Sequence, residues 1–89
     1  MKVVKIGAVW CNGCLVMNNV WNKVMKVKDL DVKSLDIDMD EEEVAKYNVG
    51  DTLPVFIFYK GDREVKRVVG EVSYDEMIEI IEEVENEED

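Results

Sequence analysis

The stretch Trp10-Cys11-Asn12-Gly13-Cys14 decides how the rest of this sequence is interpreted. It holds both cysteines of the chain, with two residues between them. An apolar run over residues 3–9 precedes it and favours a buried strand, and apolar residues at helical spacing follow it as far as Val27. The pattern therefore predicts a strand, a tight turn that carries two thiols, and a helix. A Cys-x-x-Cys pair at such a turn can close and open a disulfide, which indicates redox chemistry.

The size and charge of the chain limit what it can be. Its 89 residues are enough for one small domain with one hydrophobic core, which we expect over residues 1–85, followed by an acidic tail over residues 86–89. The formal net charge at pH 7 is −10. A protein with this charge repels phosphate, so we expect neither nucleic acid nor a membrane surface as a partner. The apolar residues are also too scattered for a membrane span.

The cysteine pair and the start of the sequence indicate the cellular compartment in which the protein works. Met1-Lys2 leads directly into strand-like sequence, so we expect no signal peptide. In a reducing cytosol, a Cys-x-x-Cys pair is more often catalytic or metal-binding than structural. We therefore expect a cytoplasmic protein, and we expect it to be a monomer.

Hydrophobic patterns along the chain predict the order β-α-β-α-β-β-α. Pro54 is the only proline, and it opens an apolar run over residues 55–59 that is typical of a central strand buried on both faces. Residues 64–69 complete a β-hairpin with that strand, and Ser73 caps the last helix. A helix between the first two strands favours a parallel crossover. The sequence thus predicts an α/β fold with a four-stranded mixed sheet flanked by three helices.

Three features together resemble the thioredoxin family. They are the Trp-Cys-x-x-Cys turn after the first strand, Thr52-Leu53-Pro54 before the third, and Val69-Gly70-Glu71 after the fourth. The resemblance extends from Val3 to about Val84. It implies a thioredoxin-like fold in a minimal βαβαββα form, without the additional N-terminal strand and helix of a full thioredoxin.

The resemblance also implies roles for individual residues. Cys11 matches the nucleophilic cysteine, Cys14 the resolving one, and Trp10 precedes them as in the family. Pro54 matches a proline that follows a cis peptide bond and lies against the disulfide. A shallow groove for an extended substrate segment is implied at Leu53, Val69 and Gly70. From the residues alone, a sulfur at a helix N-terminus faces unpaired N–H groups, and we expect Cys11 to be more exposed than Cys14.

Lys5 departs from the family pattern, because it stands in an apolar strand where the family has a buried acid. One interpretation is that its stem packs in the sheet while its amine reaches water. The other is that the amine lies under the cysteine turn and acts on the thiols, with Asp36 as a candidate counter-ion. Gly13 is a second departure, since the family usually has a proline between its cysteines.

We expect a thiol–disulfide oxidoreductase that reduces protein disulfides through Cys11 and Cys14, supplied with electrons by a reductase. Its only redox group would be the Cys11–Cys14 disulfide, with no bound cofactor. A glutaredoxin that works with glutathione is the alternative, since Thr52-Leu53-Pro54 also fits that family. A third and less favoured alternative is a module that binds zinc or an iron–sulfur cluster across a dimer. Two Cys and no His are too few ligands for a tetrahedral site in one chain, so no metal site is expected.

Overall fold

The computed structural model of the chain describes residues 1–87. Its strands are β1 (Lys2–Gly7), β2 (Asp31–Asp36), β3 (Val55–Lys60) and β4 (Arg63–Val69). Its helices are α1 (Asn12–Val27), α2 (Glu41–Val44) and α3 (Tyr74–Glu85), and a 3₁₀ turn, Ala45–Tyr47, continues α2. The predicted order of elements is therefore confirmed. Positions 88 and 89 of the predicted acidic tail lie outside the described residues.

The strands of residues 1–87 form one mixed sheet in the order β2-β1-β3-β4. β1 runs parallel to β2 and antiparallel to β3, and β3 pairs with β4 in an antiparallel hairpin. Helix α1 connects the parallel pair, which is the crossover that the sequence predicts. This topology confirms the predicted fold class. It places the carboxyl end of β1 and the start of β3 at the same end of the sheet.

The two faces of the sheet have separate cores. On one face, α1 and α3 pack against β3 through a cluster that includes Trp21, Phe56 and Met77. On the other face, Val44 of α2 packs with Ile57 of β3. β3 contributes to both cores because it is apolar without alternation, as the sequence predicts. Full burial of one large apolar side chain, such as Phe56 or Ile57, stabilises the fold by about 1.5–3 kcal/mol. The rings of Trp21 and Phe56 stack with centroids 5.2 Å apart.

The end of β1 differs from the prediction. The apolar run suggests a strand as far as Val9, but β1 ends at Gly7. The carbonyl of Ala8 accepts a hydrogen bond of 3.2 Å from the backbone N–H of Cys11, so the chain has already begun to turn. Val9 and Trp10 are consequently 83% and 63% exposed. The early turn therefore places two apolar side chains on the surface beside the cysteines.

Candidate active site

The cysteine turn joins β1 to α1 and makes Cys11 the N-cap residue of that helix. Its backbone is extended, with φ −86° and ψ 112°, and its sulfur accepts a hydrogen bond of 3.1 Å from the N–H of Cys14. The sulfur thus occupies the place that a serine or aspartate oxygen takes at other helix starts. A thiolate there faces free N–H groups and the positive end of the helix dipole. The geometry suits a nucleophilic sulfur at Cys11.

Both cysteines are free thiols, and both are buried. Cys11 is 9% exposed and Cys14 is 7% exposed, so the expected difference in exposure is wrong. Ala8 lies in the same small cluster, and Ile37 and Leu53 pack against it. These neighbours cover the sulfur of Cys11 nearly as well as that of Cys14. The two thiols therefore differ in their electrostatic surroundings more than in access.

Cys14 is held in its protonated form. Burial raises the pKa of its thiol from the ordinary 9.0 to about 11, and the hydrogen bond and charge of Cys11 act in the same direction. The backbone of Ala8 and the positive charge of Lys5 oppose this shift. At neutral pH Cys14 is therefore a thiol, and it must lose a proton before it can attack a disulfide.

Lys5 lies beside Cys14. Its Nζ donates a hydrogen bond of 2.6 Å to Oδ1 of Asn18, which follows Cys14 by one helical turn on the same side of α1. Lys5, Asn18, Cys14 and Pro54 line one cleft of about 360 Å³. Burial lowers the pKa of the Lys5 amine, whereas a negative charge on Cys14 raises it. Lys5 therefore shares a cleft with Cys14, while the role of its amine in the exchange stays a prediction.

Asp36, the candidate counter-ion, serves a different purpose. Its carboxylate accepts hydrogen bonds from the backbone N–H groups of Asp38, at 2.8 Å, and Met39, at 3.2 Å. Asp36 lines the same cleft as Lys5, but its oxygens stabilise the turn after β2. The hydrogen bond of the Lys5 amine is to Asn18 instead.

Leu53, Pro54, Val69 and Gly70 come together next to the cysteines. The peptide bond between Leu53 and Pro54 is cis, as predicted, and Leu53 packs against the cysteine cluster. The carbonyl of Pro54 accepts a hydrogen bond of 2.8 Å from the N–H of Gly70. Gly70 has a φ of +90°, a conformation that favours glycine, and Val69 before it is 51% exposed. The structure thus brings these four residues close together, and the groove that the family resemblance implies there stays a prediction.

Trp10, directly before Cys11, lies on the surface. Its indole Nε1 donates a hydrogen bond of 2.7 Å to Oδ2 of Asp38, which holds the exposed ring against the connection after β2. Val9 precedes Trp10 and Met39 follows Asp38 in sequence, and both side chains are apolar and 83% exposed. Exposed apolar surface of this kind is typical of a binding face.

Four further residues contact the site although the sequence assigned them no role. Gly7 is one, because a Cβ there would lie 3.0 Å from Sγ of Cys14. Asn18 and Asp38 are the hydrogen-bond partners of Lys5 and Trp10. The spacing of four residues from Cys14 could have indicated Asn18, since such residues share a helix face.

Glu71 is the fourth of these residues. A Cβ at Gly13 would lie 3.3 Å from its Oε2, so the carboxylate lies against the turn between the two cysteines. A single glutamate after a glycine carries no sequence signal of such a position. Its placement depends on the contact between the segment after β4 and α1, where the N–H of Val72 donates to the sulfur of Met17.

Within residues 1–87, no three His, Cys, Asp or Glu side chains form a group that could hold a metal ion. In the same part of the chain, each helix is too short or too polar to cross a membrane.

Comparison with known proteins gives consistent results. A family model described as Thioredoxin matches residues 1–83. Thioredoxin H2-1 of Oryza sativa is 37% identical over 71 residues, which cover 79% of this chain and 51% of that protein. Thioredoxin-2 of Saccharomyces cerevisiae is 36% identical over 71 residues, 79% of this chain and 67% of that protein. The chain thus spans about half of the length of the rice relative.

A solved structure extends the likeness to three dimensions. Reduced thioredoxin pre-protein of Schistosoma mansoni superposes with a TM-score of 0.81 at 29% identity, over 92% of this chain and 76% of that one. This match confirms the fold that the sequence resemblance implies.

Proposed function

This chain belongs to the thioredoxin family, and on that premise we propose that it is a thiol–disulfide oxidoreductase that reduces protein disulfides. The observation that carries the proposal is the cysteine pair at the start of α1. There the Cys11 sulfur caps the helix and accepts the N–H of Cys14 at 3.1 Å. The match covers about half of the rice relative, so we infer the activity from this site together with the family.

The reaction consists of two exchange steps. The Cys11 thiolate attacks one sulfur of the substrate disulfide, whose S–S bond breaks, and the other substrate sulfur leaves as a thiolate that takes a proton from water. Cys14 then gives up its proton and attacks the Cys11 sulfur, which releases the second substrate thiol. Two electrons pass from the dithiol to the substrate, and the Cys11–Cys14 disulfide remains for a reductase to reduce.

We assign Lys5 to the second step. Burial raises the pKa of Cys14, and the positive charge of the Lys5 amine opposes that shift, so the charged amine favours the thiolate form of Cys14. The proton of Cys14 passes to water, and the ammonium of Lys5 stabilises the thiolate that attacks the Cys11 sulfur. Asn18 orients the amine through its hydrogen bond of 2.6 Å.

We propose that the groove of Leu53, Pro54, Val69 and Gly70 holds an extended substrate segment next to Cys11. The exposed side chain of Val69 and the exposed ring of Trp10 provide apolar contact on either side. Partners would be protein disulfides and a reductase, with no bound cofactor. We also propose one domain over residues 1–85 that acts as a monomer in the cytoplasm, because a dithiol is maintained in a reducing compartment. None of the comparisons favours the glutathione-coupled alternative.

The Cys14→Ser variant tests the proposal. The parent protein should catalyse reduction of insulin by dithiothreitol, and both Cys11→Ser and Cys14→Ser should lose turnover. Cys14→Ser should accumulate a mixed disulfide at Cys11, visible by mass spectrometry, whereas Cys11→Ser should accumulate none. A parent protein without insulin reduction would overturn the proposal, and trapping by Cys11→Ser alone would reverse the two cysteines. Turnover supported by glutathione and its reductase, and not by a thioredoxin reductase, would favour the glutaredoxin alternative.

A further inference from the structure

The side chain of Glu71 fills the space that a side chain at position 13 would need. A Cβ on Gly13 would lie 3.3 Å from Oε2, 3.4 Å from Cγ and 3.6 Å from Cδ of Glu71. Gly13 is one of the two residues between the cysteines. A negative charge therefore lies directly against the turn that carries the reacting sulfurs.

The backbone on both sides of Glu71 is fixed. Gly70 donates its N–H to the carbonyl of Pro54 at 2.8 Å, and Val72 donates its N–H to the sulfur of Met17 in α1 at 3.4 Å. The φ of +90° at Gly70 turns the chain between these anchors. Because both neighbours are held, the fold itself brings the carboxylate of Glu71 to α1.

Glu71 also borders the path of a substrate. It is exposed, and it directly follows Val69 and Gly70, which line the groove proposed for the substrate segment. A polypeptide in this groove with its sulfur at Cys11 passes close to the carboxylate. A lysine or arginine of that polypeptide would be attracted, whereas an aspartate or glutamate would be repelled.

We propose that Glu71 is a specificity-determining residue that favours disulfides flanked by basic residues over those flanked by acidic ones. This inference rests on the proposed exchange at Cys11, and it adds a chemical class of substrate to it. The net charge of −10 attracts cations to the whole protein, whereas the carboxylate of Glu71 lies against Gly13, between the two cysteines.

Two disulfide-linked peptide dimers test the inference. Each peptide carries one cysteine, flanked on both sides by lysine in the first dimer and by glutamate in the second. Reduction by an excess of reduced protein is followed by chromatography of the released peptide. Each rate is divided by the rate with dithiothreitol, which removes the intrinsic difference between the two disulfides. The parent protein should prefer the lysine dimer by about three- to tenfold at low salt, and a salt concentration of about 1 M should remove this preference.

Two pairs of variants distinguish the effect of Glu71 on the substrate preference from the effect of the net charge. Glu71→Gln should lose most of the preference, and Glu71→Lys should reverse it. Asp62→Asn and Asp62→Lys are matched controls, because Asp62 lies in the turn between β3 and β4, at the end of the sheet where β1 begins. These controls change the net charge equally and should keep the parental preference.

The outcomes distinguish this inference from the proposed function. If Glu71→Gln and Asp62→Asn show the same preference, or if the preference persists at high salt, Glu71 does not select substrates, and the exchange activity still stands. If the parent protein reduces neither dimer, the proposed function itself is wrong.

Discussion

Two neighbouring rows of side chains on α1 meet opposite charges. Residues four apart lie on the same side of a helix, and successive residues are turned by about 100°. Cys14 and Asn18 form the row that faces the cleft and the amine of Lys5. Gly13 and Met17 form the next row, which faces the carboxylate of Glu71 and the backbone that follows it.

The two charges that these rows face differ in burial as well as in sign. The amine of Lys5 is partly buried and shares a cleft with the sulfur of Cys14, so its charge acts where the local dielectric constant is low. Glu71 is exposed, so water and salt screen its charge from the thiols but leave it available to an approaching partner. A quarter turn of one helix thus separates a cation that shares a cleft with Cys14 from an anion that lies against Gly13.

Substitution of Gly7 and of Gly13 should show this contrast most strongly. A Cβ at Gly7 would lie 3.0 Å from Sγ of Cys14, whose short side chain cannot move away. We expect Gly7→Ala to lower the free energy of unfolding of the reduced protein by about 1–3 kcal/mol, measured by urea denaturation. Gly13→Ala meets only the flexible end of Glu71, so we expect a change within about 0.5 kcal/mol. Equal losses in the two variants would contradict the comparison.

The free energy of unfolding of the reduced protein should decrease at alkaline pH. The pKa of Cys14 is raised from 9.0 to about 11 by burial, so the folded protein holds this proton more tightly than the unfolded chain does. The resulting stabilisation is complete below pH 9 and is lost as the pH rises through the folded-state value. We expect the free energy of unfolding to fall by about 1–2 kcal/mol over this range. The oxidised protein, which has no thiol to titrate, is the control, and an equal fall in both forms would show that Cys14 is not responsible.

Replacement of Lys5 should have a smaller effect, confined to the cleft. The amine lowers the pKa of Cys14, so Lys5→Met should raise that pKa further and slow the release of substrate from Cys11 by about three- to tenfold. Release from a preformed mixed disulfide, followed as a function of pH, measures both quantities. Lys23→Met, at an exposed position of α1, is the control for the loss of one charge. If Lys5→Met matches Lys23→Met in rate and pH profile, Lys5 has no part in the exchange.

Local patterns explain why so much of the fold could be predicted from the sequence. The strands and helices follow from hydrophobic periodicity, the capping box begins at Ser73, and the apolar run after Pro54 indicates the central strand. The cysteine pair is likewise a local signal. The cis bond before Pro54 was implied by the family resemblance, since no local pattern predicts it.

The rest of the site depends on contacts between elements that are distant in sequence. The apolar run continues past Gly7, so hydrophobicity alone cannot indicate where β1 ends. Asp36 was a reasonable partner for Lys5, but its carboxylate accepts hydrogen bonds from local backbone N–H groups, and the Lys5 amine donates to Asn18. Glu71 reaches Gly13 only because separate hydrogen bonds hold the residues on either side of it.

The two tryptophans provide separate optical reporters. Trp10 is 63% exposed and precedes Cys11, whereas Trp21 is 4% exposed and stacks on Phe56. Indole emission shifts to longer wavelength in water, and a soluble quencher reaches only an exposed ring. The emission of Trp10 therefore reports on the surface at the cysteine turn, while that of Trp21 reports on the integrity of the core. Fluorescence spectra recorded with and without quencher distinguish a change at that surface from unfolding of the core.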